Sequence, residues 1–472
     1  MKSLNNGGNM KSFKKLLKKS KIYNFFSYNF NLIKYKINQL ELENNNISKE
    51  ILLLKESLNN LQNSKEIKLL DERMKQFDCI NTELLLLSNN EDKLKVLIVG
   101  FYGAPNSGDE LMLQSILEKI DTSKYSITIM LADNPNYKID NYRNVKFIHY
   151  PKTNMDFNII ANYFDKVIFG GGALLEDAYF NEDNSYKYST ATILINLSLA
   201  CIMHDKPFYC IGLSSANAFT NMEYLSKLDF IISKAKHFSL RDTNSIKTLQ
   251  EAGIKNIDKI RIVDDLVFSL KDIHYNISNK LDDDNFVLGL VLIGFSDNNK
   301  LKEILIWIDE YFQNINKSLK IKLIPFYDYK HSDIYNLTNI TNNIKINSSI
   351  EITQYYQQYE DIMNTFNSCN LIINMRYHST LLCLKAGIPA INIIYDIHSH
   401  YINKMSFLRE TYSINNLFLS YKELNKEHLE DSLNFVINNI KQINIIESRI
   451  SKQIYERAVK THTEIINNIL EN

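Results

Sequence analysis

Apolar positions fall into three patterns along the chain. Over residues 40–61 they recur at Leu40, Ile47, Ile51, Leu54, Leu58 and Leu61, and from Ile47 the alternating spacing of four and three is a heptad seam. A second stretch, Ile67, Leu70, Met74 and Phe77, resumes out of register, as after a stutter. Asn44 falls on the seam, where a polar residue can set register. The pattern predicts a helix over residues 40–77 that either makes a homo-oligomeric coiled coil or packs on its own body. The polar run Ser88–Asp92 reads as the linker that closes it.

From Lys95 the period changes. Short apolar runs at Val96–Val99, Ser126–Met130, Val145–Ile148, Val167–Phe169, Phe208–Ile211 and Ile260–Val263 predict strands. Between them Glu110–Ile120, Ala191–His204 and Thr243–Ala252 predict helices, the last ended by Gly253. The polar stretch Lys271–Asn285 reads as a linker, after which the alternation restarts with Val287–Leu292, Ile321–Pro325, Leu371–Asn374 and Ala390–Ile394. From about Asn415 the chain reads as helical. Such alternation means parallel sheets covered by helices on both faces. The expected class is α/β, with two doubly wound Rossmann-like domains facing a cleft. The expected divisions are an amino-terminal helical extension over 1–92, sheet domains over 93–275 and 276–414, and helices over 415–472.

Composition adds one correction to a simple picture. The 472 residues carry 54 basic and 54 acidic side chains, so net charge alone predicts no polyanion partner. Residues 1–40, however, hold nine lysines and no acid, which leaves 45 basic against 54 acidic residues, or −9, in the remainder. This basic arm also carries Phe13, Leu16, Leu17, Phe25, Phe26 and Phe30, a mixture suited to an anionic membrane surface. A solvated tail is the plainer reading, and no nucleic-acid recognition module accompanies the arm. Five cysteines without CxxC spacing encode neither a disulfide framework nor a zinc site. With no apolar run long enough to span a bilayer, the expected location is cytoplasmic, in part peripheral at the inner face of the membrane.

Candidate chemistry gathers where strands end. After Val99 comes Gly100-Phe101-Tyr102-Gly103-Ala104-Pro105-Asn106-Ser107-Gly108-Asp109-Glu110, a small-residue loop running into a helix start, able to approach an anion or simply to form a turn capped by Asp109. Gly170, Gly171 and Gly172 follow another strand, with Asp177 beyond them. Ser239-Leu240-Arg241-Asp242 joins a strand to a helix, Asp242 being the expected cap and Arg241 the residue delivered to the strand end. Finally, Leu371–Asn374 leads into Met375-Arg376-Tyr377-His378-Ser379. Arg376 can clamp a carboxylate or phosphate, and His378 can move a proton near neutral pH.

In this order the motifs resemble the polysaccharide pyruvyl transferase family: GxxNxGDE, GGG followed by an acid, a strand ending in Ile211-Gly212, SxRD, an aspartate after a strand, MRxHS, and AGIPAINIIYD at Ala386–Asp396. The resemblance spans roughly residues 95–400 and implies a GT-B-like pair of Rossmann domains. It also implies transfer of the enolpyruvyl group of phosphoenolpyruvate to a sugar, with a pyruvate ketal closed and phosphate released. By matching motif, Arg241, Arg376 and His378 become the expected catalytic residues. Gly103, Asn106, Gly108, Asp109, Gly170–Gly172, Asp177, Tyr377, Ser379, Tyr395 and Asp396 become expected substrate contacts. The scheme requires no metal and no cofactor beyond the donor substrate, and it implies a glycan or lipid-linked glycan acceptor. The sequence departs from the family at Leu213–Asn217, at Tyr377 and at Ile397-His398-Ser399-His400, which leaves acceptor identity open. A nucleotide-sugar glycosyltransferase, or a silent assembly protein of the same pathway, are the alternatives.

Overall fold

A computed structural model describes residues 93–132, 145–151, 154–177, 189–215, 218–273, 285–293, 297–328, 332–395 and 417–471, with Glu83, Leu84, Leu87, Met405 and Leu408. The lysine-rich arm, the heptad seam and Asp396, His398 and His400 lie outside the described residues.

Two parallel sheets dominate. The first contains β1 (Lys95–Val99), β2 (Ser126–Leu131), β3 (Val145–His149), β4 (Lys166–Leu175), β5 (Phe208–Ser215), β6 (His237–Leu240) and β7 (Ile260–Ile262), in the order β3-β2-β1-β4-β5-β6-β7. The second contains β8 (Asn285–Val291), β9 (Ser318–Leu323), β10 (Ser349–Ile352), β11 (Leu371–Asn374), β12 (Ala390–Ile394) and β13 (Leu417–Ser420), in the order β10-β9-β8-β11-β12-β13. Strand order therefore reverses beside β1, which pairs with β2 and β4, and beside β8, which pairs with β9 and β11. The crevice at such a switch point, outside the carboxyl ends of the strands, is where doubly wound sheets bind ligands.

The strands are apolar because both faces are covered: every residue of β2 and β5 is buried. The crossover helices of the first half are α1 (Ser107–Leu117), α2 (Asn154–Tyr163), α3 (Thr190–Met203), α4 (Met222–Lys234) and α5 (Thr243–Glu251). Those of the second are α6 (Asn298–Asn314), α7 (Asp333–Thr341), α8 (Tyr359–Asn367) and α9 (Tyr377–Ala386). Two elements differ from the sequence reading. The chain does not turn helical at Asn415, since Leu417–Ser420 is β13, held in register with Ile391–Ile394 of β12. Edge strand β10 was also unexpected, being paired through Ser349–Ile352 with Lys320–Leu323. Runs of four residues carry too little periodicity to separate strand from helix, and only the neighbouring strand decides them.

The 46-residue helix α10 (Lys426–Glu471) ties the two halves together. Its start packs Leu429, Leu433 and Val436 into the second core, and its middle meets α9, where Asn444 Nδ2 donates to the Gly387 carbonyl at 2.5 Å. Farther on, Arg457 forks onto Asp264 at 2.6 and 2.7 Å. The last carbonyls are met by Lys166 Nζ, 2.6 Å from Ile469 O, at the start of β4. One apolar cluster accordingly runs from Ile98 and Ile116 through Leu266 and Phe268 to Ile372, Leu382, Ile454 and Ile466. Among the described residues no helix is long and apolar enough to cross a membrane.

This strap predicts a pH dependence. His462 is fully buried, with Nε2 3.0 Å from the Asp264 carbonyl and Nδ1 2.9 Å from Ser269 Oγ. Burial, with Lys119 nearby, holds its imidazole down at about 4. In the unfolded chain the ordinary value is about 6.5, so between these values only the unfolded state takes up the proton. The contribution is whole above about pH 6.5 and is lost as pH falls towards 4, amounting to about 3 kcal/mol. His462→Gln, which cannot charge, should show a smaller loss of denaturation midpoint between pH 7 and 4.5 than wild type. Parallel acid profiles for the two proteins would remove His462 from that role.

Candidate active site

The loops after β1, β4, β6 and β11 meet at one cavity of about 470 Å³, to which both halves of the chain contribute. The helices α1, α3 and α9 begin there, α3 through its cap residue Ser189. At α1 the Asn106 side chain accepts from the Gly108 N–H at 3.2 Å. Asn106 is thus the cap, in place of the expected Asp109, because its extended backbone lets the side chain fold back over the first turn. The loop is pinned to the second half by Ser107 N–H donating to Phe326 O at 3.0 Å and Asp328 N–H to Pro105 O at 2.9 Å. Opposite it, Arg376 is the cap residue of α9, so His378 lies in that helix's first turn. The starts of α1 and α9 touch: a Cβ at Gly108 would collide with the imidazole of His378.

Charge is concentrated here. Arg241 follows β6, and Asp242 caps α5 as expected, accepting from the Ser245 N–H at 2.6 Å. The Arg241 side chain is 2% exposed, with Nη1 2.8 Å from Asp265 Oδ2 and 3.3 Å from His378 Nε2. Burial opposes its positive charge, but Tyr377, Asp265 and Asp242 outweigh that and raise its pKa further. Its guanidinium lies 4.3 Å from the centre of the Tyr377 ring, which in turn meets the His378 ring edge-on at 5.1 Å. Burial pushes the Tyr377 hydroxyl well up, so it stays protonated near neutrality. Asp265 Oδ2 is also 3.8 Å from His378 Nε2, and one buried carboxylate therefore serves both residues.

Arg376 is fixed independently. Its Nη2 lies 2.6 and 2.9 Å from the two oxygens of Asp333, which is buried and also accepts from the Phe326 and Tyr327 N–H groups at 3.0 Å each. Among the described residues, the buried Nε–H groups of Arg241 and Arg376 have no protein acceptor. Acid and glycine complete the wall. Gly171 and Gly172 take φ of +67° and +93°, where a side chain is strained, and Gly172 lies against the Asp109 carboxylate just before the β4 register shifts. Beneath it Glu110 accepts from the Gly103 N–H at 2.9 Å, and burial, with Asp109 adjacent, raises its pKa well above the carboxylate range.

Of the residues expected from the sequence, Asn106, Asp109, Gly172, Arg241, Arg376, Tyr377 and His378 line the cavity. Gly103, Gly108, Gly170 and Gly171 are not among its lining residues. Ser379 is buried, its hydroxyl donating to the Arg376 carbonyl at 2.8 Å. Asp177 accepts from the Asn221 N–H at 2.6 Å, ahead of α4, and Tyr395 packs its ring on Tyr421 in the second core. Phe101 and Glu176, which flank the expected glycines, also line the cavity, as do Ser189, Thr190 and Phe326, which were not foreseen. Nor were the partners Asp265 and Asp333; the only hint was the family's aspartate after a strand. Among the described residues no group of His, Cys, Asp and Glu is placed to hold a metal ion.

Comparison with known proteins bears directly on this arrangement. A family model for polysaccharide pyruvyl transferases matches residues 106–397, from the Asn106 cap past the MRxHS segment. The chain belongs to the polysaccharide pyruvyl transferase family. It is a member of an enzyme family, and every cavity-lining residue except Phe101 lies within the matched span. No curated protein matches the sequence. Three solved structures share its fold. A glycosyltransferase from Rickettsia africae is 12% identical with a TM-score of 0.54, over 81% of this chain and 100% of that one. UGT89C1 of Arabidopsis thaliana is 8% identical at 0.53, over 80% and 100%. MurG of Acinetobacter baumannii is 10% identical at 0.50, over 79% and 99%. These likenesses establish a GT-B-like architecture and nothing more specific.

Proposed function

We propose that this transferase moves the enolpyruvyl group of phosphoenolpyruvate onto two hydroxyls of a sugar in a surface polysaccharide or its precursor. The observation that carries the reading is the convergence of Arg241, Arg376 and His378 on one cavity between two helix starts. Phosphoenolpyruvate brings a carboxylate and a phosphate, which two guanidinium groups with spare N–H donors and two helix N-termini suit. His378 delivers a proton to the methylene carbon, and the cationic centre that develops at the neighbouring carbon is attacked by one sugar hydroxyl. The second hydroxyl then displaces phosphate and closes the ketal. Of the two hydroxyl protons, one balances the new methyl group and the other leaves with phosphate. Asp265, shared by Arg241 and His378, orients both groups. The acceptor is a glycan or lipid-linked glycan, and the lysine-rich residues 1–40 suit work beside an anionic membrane.

Incubation with phosphoenolpyruvate and extracted glycan should release phosphate and add a pyruvate ketal detectable by mass. Nucleotide release from a nucleotide sugar, with no phosphate from phosphoenolpyruvate, would instead favour a glycosyltransferase. Arg376→Lys keeps the charge but loses the planar fork and its grip on Asp333. Donor affinity should weaken by about 1–3 kcal/mol, read as a raised Kd in calorimetric titration. An unchanged Kd would take Arg376 out of the donor site.

A further inference from the structure

A second concavity, of about 1020 Å³, lies at the amino-terminal ends of β5, β6 and β7, at the edge of the first sheet opposite the active site. Five cations line it: Lys206 ahead of β5, Lys234 and Lys236 ahead of β6, Lys259 ahead of β7, and Arg261 within β7. The acids in its lining are Asp205 and Asp258, an imbalance that runs against a body of net charge −9. Lys206 lies 4.0 Å from Asp165, and Lys259 Nζ donates to Ser233 O at 2.7 Å. Lys234, in the last turn of α4, serves that helix's carboxyl end and sits 5.7 Å from the Phe230 ring. Lys236 and Arg261 lie outside any helix, and among the described residues neither has a carboxylate within ion-pair distance. Between them His237 is held neutral, its pKa lowered to about 4 by burial and then by Arg261.

Adjacent parallel strands lie about 4.8 Å apart, so the cations gathered around the starts of three neighbouring strands are spread over several ångströms of one concavity. A single oxyanion would meet one or two of them, whereas a ligand with anionic groups several ångströms apart would meet more. We infer that this groove is a binding site for a ligand carrying two or more phosphate groups, separate from the active site. The phosphates could be those of a soluble diphosphate or of neighbouring lipid headgroups, since the recognising chemistry is the same.

The test uses the full-length protein and inorganic pyrophosphate as the probe. Calorimetric titration at low salt should show saturable binding that Lys236→Gln/Arg261→Gln weakens by about tenfold or more and that Arg376→Lys leaves unchanged. The double variant should keep the wild-type rate, because both residues lie at the opposite edge of the sheet. Should it fold poorly, Lys236→Gln alone should still weaken binding several-fold without moving the melting temperature. Phosphatidylglycerol vesicles that displace bound pyrophosphate would mark headgroups as the source, and vesicles that do not would mark a soluble diphosphate. Absence of saturable binding, equal titrations for wild type and the groove variant, or loss confined to Arg376→Lys would overturn the inference.

Discussion

His378→Ala lowers turnover by about 10²–10⁴-fold, the range that a positioned general acid–base contributes, with the melting temperature close to wild type. The expectation follows from where the ring sits. It is on the first turn of α9, largely enclosed at 13% exposure, touching Gly108 across the cavity and 3.3 Å from Arg241. Removing it leaves the Asn106 cap of α1 in place and both arginines on their carboxylates, so the fold should tolerate the loss. His378→Gln, which keeps a polar side chain but carries no titrating proton, should be nearly as inactive. Donor binding should persist in both variants, because Arg241 and Arg376 remain. A folded His378→Ala enzyme retaining most of its rate would end the acid–base assignment. Loss of donor affinity without loss of maximal rate would move His378 into the binding role.

The second large effect is on stability. Asp265→Ala should cost about 3–5 kcal/mol, because it leaves the Arg241 guanidinium buried without its carboxylate. The carboxylate has no solvent exposure and lies 2.8 Å from an arginine that is itself 2% exposed. Asp265 Oδ1 also accepts from the Val267 N–H at 3.0 Å, capping the short turn Leu266–Ser269 on which α10 rests. Chemical denaturation should therefore show a lowered midpoint with little change in slope. Replacing both partners, as Arg241→Met with Asp265→Ala, should recover part of the loss, since no charge is then left unpaired. Additive destabilisation in the double variant would show that the pair is not the source of the cost. Activity should be lost in either single variant.

The transferase fold was legible because parallel strands buried on both faces must be apolar along their length. Val96–Val99, Val167–Phe169 and Leu371–Ile373 are such runs, the first two followed at once by glycine and the third within five residues by Arg376 and His378. A strand's carboxyl end is a local feature, so Arg241, Arg376 and His378 could be picked out one by one, whereas Ser189, Thr190 and Phe326 reach the cavity from elsewhere in the chain. Asp242 as a helix cap was equally local. The helix start at Ser107 was placed three residues too late, because Asn106 caps it through its own backbone angle rather than through any pattern of apolar residues.

What the sequence by itself determined, then, is the set of strand ends and the side chains standing on them, because a period of two or of 3.6 and a cap are written within a few neighbouring residues. Which of those ends face one another was decided only by the tertiary structure. Arg376 finds Asp333 across 43 positions, Arg241 finds Asp265 across 24, and His378 reaches Arg241 across 137. Nothing local distinguishes Asp265 from its neighbour Asp264, yet the first holds Arg241 at the cavity and the second holds Arg457 of the strap. The pairing follows from the switch points of two sheets being turned towards each other by a shared core and by α10. A charge's partner is set by that closure, and closure is a property of the packed chain as a whole.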